Sequence, residues 1–197
     1  RITAGSASKD LVSDIAYNEF GQMTEVRRGN GTVTNYNYDI KGRMESLLTT
    51  ANHNGQTWKV QDVRYEFKVD NSIAAVENTP DVAADGACQS QVRYEYRYDG
   101  LNRLVHARGS YEKTITAPGT GDPLNPVSST VVKKYELGYG YAANGNMTNK
   151  TVYNPDNGSV TDNWIYAFAN HAATVITTSS GGARFSMQYD AAGNMIS

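Results

Sequence analysis

Strict alternation of apolar and polar side chains marks three stretches of the chain. Val92, Tyr94, Tyr96 and Tyr98 share one parity, and Arg93, Glu95 and Arg97 the other. Val63, Tyr65, Phe67 and Val69 alternate in the same way with Arg64, Glu66 and Lys68. Tyr135, Leu137, Tyr139 and Tyr141 alternate with Glu136, Gly138 and Gly140. A period of two sends successive side chains to opposite sides of an extended strand, so each stretch predicts a strand with one packed face and one wet face. Opposite charges on the wet face then pair across neighbouring strands, at a few tenths of a kcal/mol each. No segment shows the periodicity of an amphipathic helix, and the predicted class is all-β.

Between such stretches one short pattern recurs. It reads aromatic, then usually Asp or Asn, two variable residues, Gly or Asn, one variable residue, then Met, Leu or Ile. Copies begin at Tyr17, Tyr38, Phe67, Tyr98, Tyr141 and Tyr189 and end at Met23, Met44, Ile73, Leu104, Met147 and Met195. The intervals between starts are 21, 29, 31, 43 and 48 residues, so the unit is short and its insertions vary. The pattern has a mechanical reading. Asn18, Asp39, Asp99 and Asp190 open a type I turn, where a short polar side chain accepts a hydrogen bond from the backbone two residues on. Gly21, Gly42, Gly145 and Gly193 supply a positive φ, and Asn71 and Asn102 stand in for glycine as the next most tolerant residue. The flanking aromatic and aliphatic residues leave on two antiparallel strands, so each copy predicts a β-hairpin. Two stretches, residues 77–90 and 114–130, lack periodicity and are rich in turn-forming and small polar residues; both are expected to be exposed loops.

Composition narrows the function. The 197 residues carry 18 basic and 20 acidic side chains, a net charge of -2, which argues against binding nucleic acid by neutralising phosphates. The longest apolar run, Trp164 to Ala169, is far too short to span a bilayer, and no signal peptide is visible at Arg1. A single cysteine, Cys88, excludes an intrachain disulfide and a CxxC metal knuckle. Fourteen tyrosines and 18 glycines against five prolines favour strands and turns. A compact globule of this mass would expose roughly 9,000 Å² of the roughly 31,000 Å² of its unfolded chain, enough for a real core.

The repeats resemble those of the Rhs, or YD-repeat, family. The resemblance lies in Tyr36-Asn37-Tyr38-Asp39-Ile40-Lys41-Gly42-Arg43-Met44, in Tyr96-Arg97-Tyr98-Asp99 and in Tyr189-Asp190-Ala191-Ala192-Gly193-Asn194-Met195. Asn170 to Val175, followed by Gly181-Gly182, is similar to a pattern common late in such arrays. The resemblance covers the chain from about Ile15 onward. It implies hairpins that form a curved, spiralling sheet, and residues 1–197 as a single segment of a larger hollow shell. In bacterial relatives that shell encloses a C-terminal toxic domain; in teneurins it serves cell-surface recognition. The implied partners are the remainder of the shell and the enclosed toxin domain, and the implied location is secreted or on the cell surface. The family's self-cleaving aspartate segment has no good match, because Asp122-Pro123 lies with repeats on both sides.

Catalytic candidates are few. His53, His106 and His171 stand far apart, none with a His or Cys at metal-ligand spacing. Cys88 has no recognisable partner, and there is no GxSxG, HExxH or phosphate loop. The turn role of Asp39, Asp99 and Asp190 already explains them without calcium or acid-base chemistry. Sequons at Asn30, Asn146, Asn149 and Asn157 are expected by chance in so Asn-, Ser- and Thr-rich a chain. The reading is a non-enzymatic wall section without metal or cofactor. Its rival is a surface module that recognises glycans or a protein partner through its insertions; sugar stacking on the tyrosine faces needs more assumptions than their inward packing. Open sheet edges of such a section are expected either to be covered by its long loops or to pair with another copy.

Overall fold

The computed structural model describes residues 2–4, 7–53, 55–81, 91–117, 127–170, 172–179 and 184–196. Among them there are fifteen strands and no helix. They are β1 (Ile2–Ala4), β2 (Ala7–Lys9), β3 (Val12–Tyr17), β4 (Met23–Arg28), β5 (Val33–Tyr38), β6 (Met44–His53), β7 (Gln56–Phe67) and β8 (Ile73–Asn78). The series continues with β9 (Gln91–Tyr98), β10 (Leu104–Ala117), β11 (Val127–Tyr141), β12 (Met147–Tyr153), β13 (Val160–Ala169), β14 (Ala172–Thr178) and β15 (Arg184–Ser186). β1 and β2 pair with each other. From β3 to β15, hydrogen-bonded neighbours follow chain order without a crossover, and the order is that of an open sheet. The chain forms two compact units, residues 1–93 with 111–133, and residues 94–110 with 134–197.

In the first unit, a row of cross-strand partners runs Ile15, Val26, Thr34, Thr49 across β3 to β6. A second row runs Tyr36, Leu47, Val63, Asn78 across β5 to β8. Val26, Val63 and Ala75 are buried, and so is Thr34, whose hydroxyl bonds the Thr49 hydroxyl at 2.9 Å and accepts from Arg28 Nη1 at 2.6 Å. Asp62 is buried too; Lys59 Nζ at 3.0 Å neutralises its carboxylate, and its N–H donates to Asn78 Oδ1 at 2.9 Å. Residues of the other parity carry ion pairs: Arg27 with Glu25 at 2.7 Å and Arg93 with Glu66 at 3.0 Å. In the second unit Ala107 is buried, and the Tyr94 and Tyr135 rings lie 6.2 Å apart. Burial pushes the hydroxyls of Tyr96, Tyr135, Tyr139 and Tyr166 up from the usual tyrosine range.

The expectation of a sizeable core is corrected. The accessible surface is 13010 Å², against the roughly 9,000 Å² of a compact globule of this mass. Among the described residues only Val26, Val63, Ala75, Pro80 and Ala107 bury apolar side chains, because a sheet needs a second layer to bury a face. Val69 departs from its expected strand face: β7 ends at Phe67, and Val69 sits on a turn, 95% exposed. Parts of both expected loops are strand. Glu77 and Asn78 belong to β8, residues 114–117 to β10 and residues 127–130 to β11. Residues 82–90 and 118–126, with Cys88 and Asp122, lie outside the described residues, as does His171.

Glycine is obligatory at Gly109 for a packing reason. A Cβ there would overlap Tyr135 Cε1 and lie 2.8 Å from Tyr94 Cδ1, so the two rings close over a bare backbone. Gly100 faces open space. Gly109→Ala is therefore expected to cost about 1–3 kcal/mol through overpacking, read as a lower thermal midpoint, while Gly100→Ala leaves the midpoint nearly unchanged. Equal midpoints for the two variants would show that the rings do not pack as described.

Candidate functional site: a ladder of stitched turns

Each motif copy folds into the same loop. In the second, the Gly42 N–H donates to the Asp39 carbonyl at 2.9 Å and the Asp39 N–H to the Arg43 carbonyl at 2.9 Å. Equivalent pairs of bonds close the turns at 18–22, 68–72, 99–103, 142–146 and 190–194. The fourth loop residue has positive φ in all six: Gly21 75°, Gly42 76°, Asn71 71°, Asn102 58°, Gly145 90° and Gly193 85°. Outside five of the six loops the flanking residues face each other: Tyr17 with Met23, Tyr38 with Met44, Phe67 with Ile73, Tyr141 with Met147, and Tyr189 with Met195. A one-residue register shift follows in the first, second, third and fifth, the bulge that a left-handed turn residue imposes on the outgoing strand.

The opening side chain clamps its own loop. Asp39 Oδ1 accepts the N–H groups of Lys41 at 2.9 Å and Arg43 at 3.0 Å. Asp99 does the same for Leu101 and Arg103, Asp190 for Ala192 and Asn194, and Asn18 for Phe20 and Gln22. Lys68 and Ala142 open the remaining copies without an acceptor. There the acceptor moves two residues on: Asp70 Oδ1 takes the Ser72 N–H at 2.9 Å and Asn144 Oδ1 the Asn146 N–H at 3.1 Å. A loop of the same form, without an aromatic lead, joins β4 to β5: Gly31 has φ 86°, its N–H donates to the Arg28 carbonyl, and Asn30 Oδ1 takes the Thr32 N–H. The aromatic lead was the sequence cue, so this loop escaped it. So did the short β13–β14 hairpin, with Asn170 at φ 57°.

The residue after the glycine is not a free position. Arg43 Nε and Arg103 Nε each donate to the opening aspartate at 2.7 Å, and Gln22 Oε1 accepts from Asn18 Nδ2 at 2.8 Å. The same side chains reach forward. In the first unit, Gln22 Nε2 donates to the Gly42 carbonyl at 2.8 Å. Arg43 Nη1 donates to Asn71 Oδ1 at 2.8 Å, its guanidinium 4.2 Å from the Phe67 ring centre. In the second unit, Arg103 Nη1 donates to the Ala142 carbonyl at 3.2 Å above the Tyr141 ring, and Asn146 Nδ2 to the Asn170 carbonyl at 2.8 Å. The leading tyrosines reach backward. Tyr38 Oη donates to the Met23 carbonyl at 2.8 Å, Tyr141 Oη to the Leu104 carbonyl at 2.7 Å and Tyr189 Oη to the Ala173 carbonyl at 2.9 Å. Within each unit, then, successive hairpins are stitched in both directions at one sheet edge. Antiparallel order puts the remaining connections, such as 29–32 and 154–159, at the opposite edge.

This arrangement engages its polar side chains in holding the turns. The carboxylates of Asp39, Asp99 and Asp190 are saturated by donors. No group of three metal-ligating side chains occurs among the described residues. His106 pairs with Glu136 at 2.8 Å on the charged parity. His53 lies in β6, far from any candidate partner in sequence. A groove of about 670 Å³ lies between the first two turns and is lined by Phe20, Gln22, Tyr38, Asp39, Ile40 and Lys41 among others. Phe20 and Ile40 point from it into solvent.

The clamps set an acid limit on stability. The Arg43 side chain holds the Asp39 carboxyl below its ordinary 3.8. The Arg103 N–H and guanidinium do so for Asp99, the Asn194 amide for Asp190 and the Ser72 hydroxyl for Asp70. A folded-state pKa below the unfolded value stabilises above that unfolded value, and the contribution is lost as pH falls through the folded value. Thermal midpoints are expected to be level from about pH 7 to 5 and to drop below about pH 3.8. The Asp39→Asn/Asp99→Asn/Asp190→Asn variant, which copies the neutral Asn18 turn, should lose less on acidification. An unchanged acid drop in that variant would exclude these carboxylates as its cause.

Comparison with known proteins agrees with this geometry. Residues 17–58 match the family model described as RHS Repeat. No curated protein matches the sequence. The crystal structure of TcdB2-TccC3 is similar over 98% of this chain and 10% of that chain, with TM-score 0.67 and 18% identity. The crystal structure of TcdB2-TccC3-TEV is similar over 97% and 10%, with TM-score 0.61 and 18% identity. The chain thus spans about a tenth of the length of these structures and shares their fold over nearly all of its own. An RHS repeat thus matches at residues 17–58, and the same turn geometry recurs as far as the 190–194 loop.

Proposed function

We propose that the chain is a non-enzymatic section of the wall of an Rhs-type β-shell, in a secreted or surface-delivered bacterial protein whose shell encloses a C-terminal toxin or effector domain. One observation carries this reading: successive hairpins are stitched by side chains that hydrogen-bond to their own turn and to a neighbouring hairpin. Within each unit such a ladder continues the sheet, and no group of three metal-ligating side chains occurs among the described residues. The large exposed surface supports it as well, since a wall section meets its second layer, cargo or solvent outside itself. Each hairpin contributes its own stability plus a term for its neighbours, as in other repeat arrays. The curvature that would close a shell belongs to the longer protein.

The test is protease protection in the full-length protein. With the wall intact, the domain downstream of the shell is expected to resist a protease that digests it when free. The Arg43→Ala/Arg103→Ala variant removes two stitches in the wall and is expected to speed its digestion severalfold. Free accessibility of that domain in the unaltered protein would overturn the casing role. Turnover by the isolated segment, abolished by His106→Ala, would overturn the non-enzymatic one.

A further inference from the structure

Two gaps between successive turns are filled by a guanidinium, and a third gap of the same form is not. Arg43 leaves the second turn and lies 4.2 Å from the centre of the Phe67 ring, the aromatic lead of the third, with Nη1 donating to Asn71 Oδ1. Arg103 leaves the fourth turn and lies 4.8 Å from the centre of the Tyr141 ring, the lead of the fifth, with Nη1 donating to the Ala142 carbonyl. Between the first turn and the second, the matching residue is Gln22. It crosses by one bond, from Nε2 to the Gly42 carbonyl at 2.8 Å, and brings no charge to the Tyr38 ring. The groove of about 670 Å³ opens at this place. Its Asp39 carbonyl corresponds to that of Ala142: each accepts the N–H of its turn glycine and keeps a second lone pair. Lys41 lies on the groove wall, but its ammonium donates to Asn71 Oδ1 at 3.4 Å, on the third turn. The Asp39 carboxylate is paired with Arg43 at 2.6 Å. Both walls are turns internal to the chain, so the groove does not depend on where the sheet starts or stops.

We infer that this groove binds the guanidinium of a peptide arginine, its plane against the Tyr38 ring and an N–H donating to the Asp39 carbonyl. The site repeats, with a group supplied from elsewhere, the contact that Arg43 and Arg103 make from within the chain. A planar and weakly hydrated cation suits an aromatic face and a carbonyl better than a compact ammonium does. Phe20 and Ile40, both exposed on the groove, offer apolar contact to the residues beside the arginine. The inference rests on the turn geometry and not on the casing role, so either can fail alone.

The probe is a capped tripeptide with arginine at its centre, compared with lysine and citrulline at the same position. Titrated into the 197-residue chain and followed by NMR, the arginine peptide should shift the Tyr38 ring and Gly42 amide signals. It is expected to bind about fivefold tighter than either control. The Asn18→Asp/Gln22→Arg variant copies the aspartate–arginine pair of the second and fourth turns, so its own side chain should fill the groove. Circular dichroism checks that it keeps its strands. Its Tyr38 ring signal should already lie where the peptide moves it in the unaltered chain, and peptide binding should be lost. The same titration of the full-length protein identifies the source of the arginine. Binding there assigns it to a separate peptide; binding by the 197-residue chain alone assigns it to the rest of the same polypeptide. Equal affinity for the lysine peptide would overturn the guanidinium assignment. Undiminished binding by the variant, or no Tyr38 shift at millimolar peptide, would overturn the site.

Discussion

A single backbone choice governs this molecule: one residue per hairpin held at positive φ. An L-residue there presses its Cβ against the following carbonyl, so the site selects glycine, or asparagine at some cost. The left-handed step reverses the chain within five residues and forces the bulge that follows. The bulge realigns the outgoing strand so that tyrosine meets methionine across it. Turn direction, register and the position of the stitching side chains all descend from that one dihedral. The acidic clamp then fixes the loop by giving its inward N–H groups a charged acceptor, stronger than a neutral one.

The all-β class and the repeated antiparallel hairpin were legible because both rest on short-range rules. Alternation at Tyr94, Tyr96 and Tyr98 needs only the pleat, and an Asp three residues before Gly needs only the turn. Less was visible where the determinant was a partner distant in sequence. Arg43 and Arg103 occupy a place that looks variable, since Gln22, Ser72, Asn146 and Asn194 fill it elsewhere. Their shared property is a side chain able to hydrogen-bond to its own turn or the next, which emerges only once the hairpins stand side by side. Lys68 and Ala142 seemed to break the motif, yet Asp70 and Asn144 restore the clamp from inside the loop. Strand ends at 114–117 and 127–130 were hidden because small polar residues are tolerated in a ribbon as readily as in a loop.

The thin core follows from the same architecture. A tyrosine-rich face buries ring area laterally against neighbours on adjacent strands, as Tyr94 and Tyr135 do over Gly109. Lateral contact leaves the outer ring surface bare, and so the tyrosines stay half-buried while Val26 and Ala107 disappear. Cohesion is thus distributed along the sheet, hairpin by hairpin, with little concentrated in any one cluster. Thr34 and Asp62 show how polar groups survive inside such a sheet: the strands beside it partner Thr34, and Lys59 of its own strand neutralises Asp62.

The segregation of turn types to opposite edges has a consequence for how chains of this kind can grow. Strand direction alternates, so adding or deleting one strand would send all subsequent tyrosine–glycine bends to the wrong rim and sever their cross-links. Only even numbers preserve parity. Duplication in whole hairpins is therefore the permitted currency of evolution here, whereas length can drift at the opposite rim.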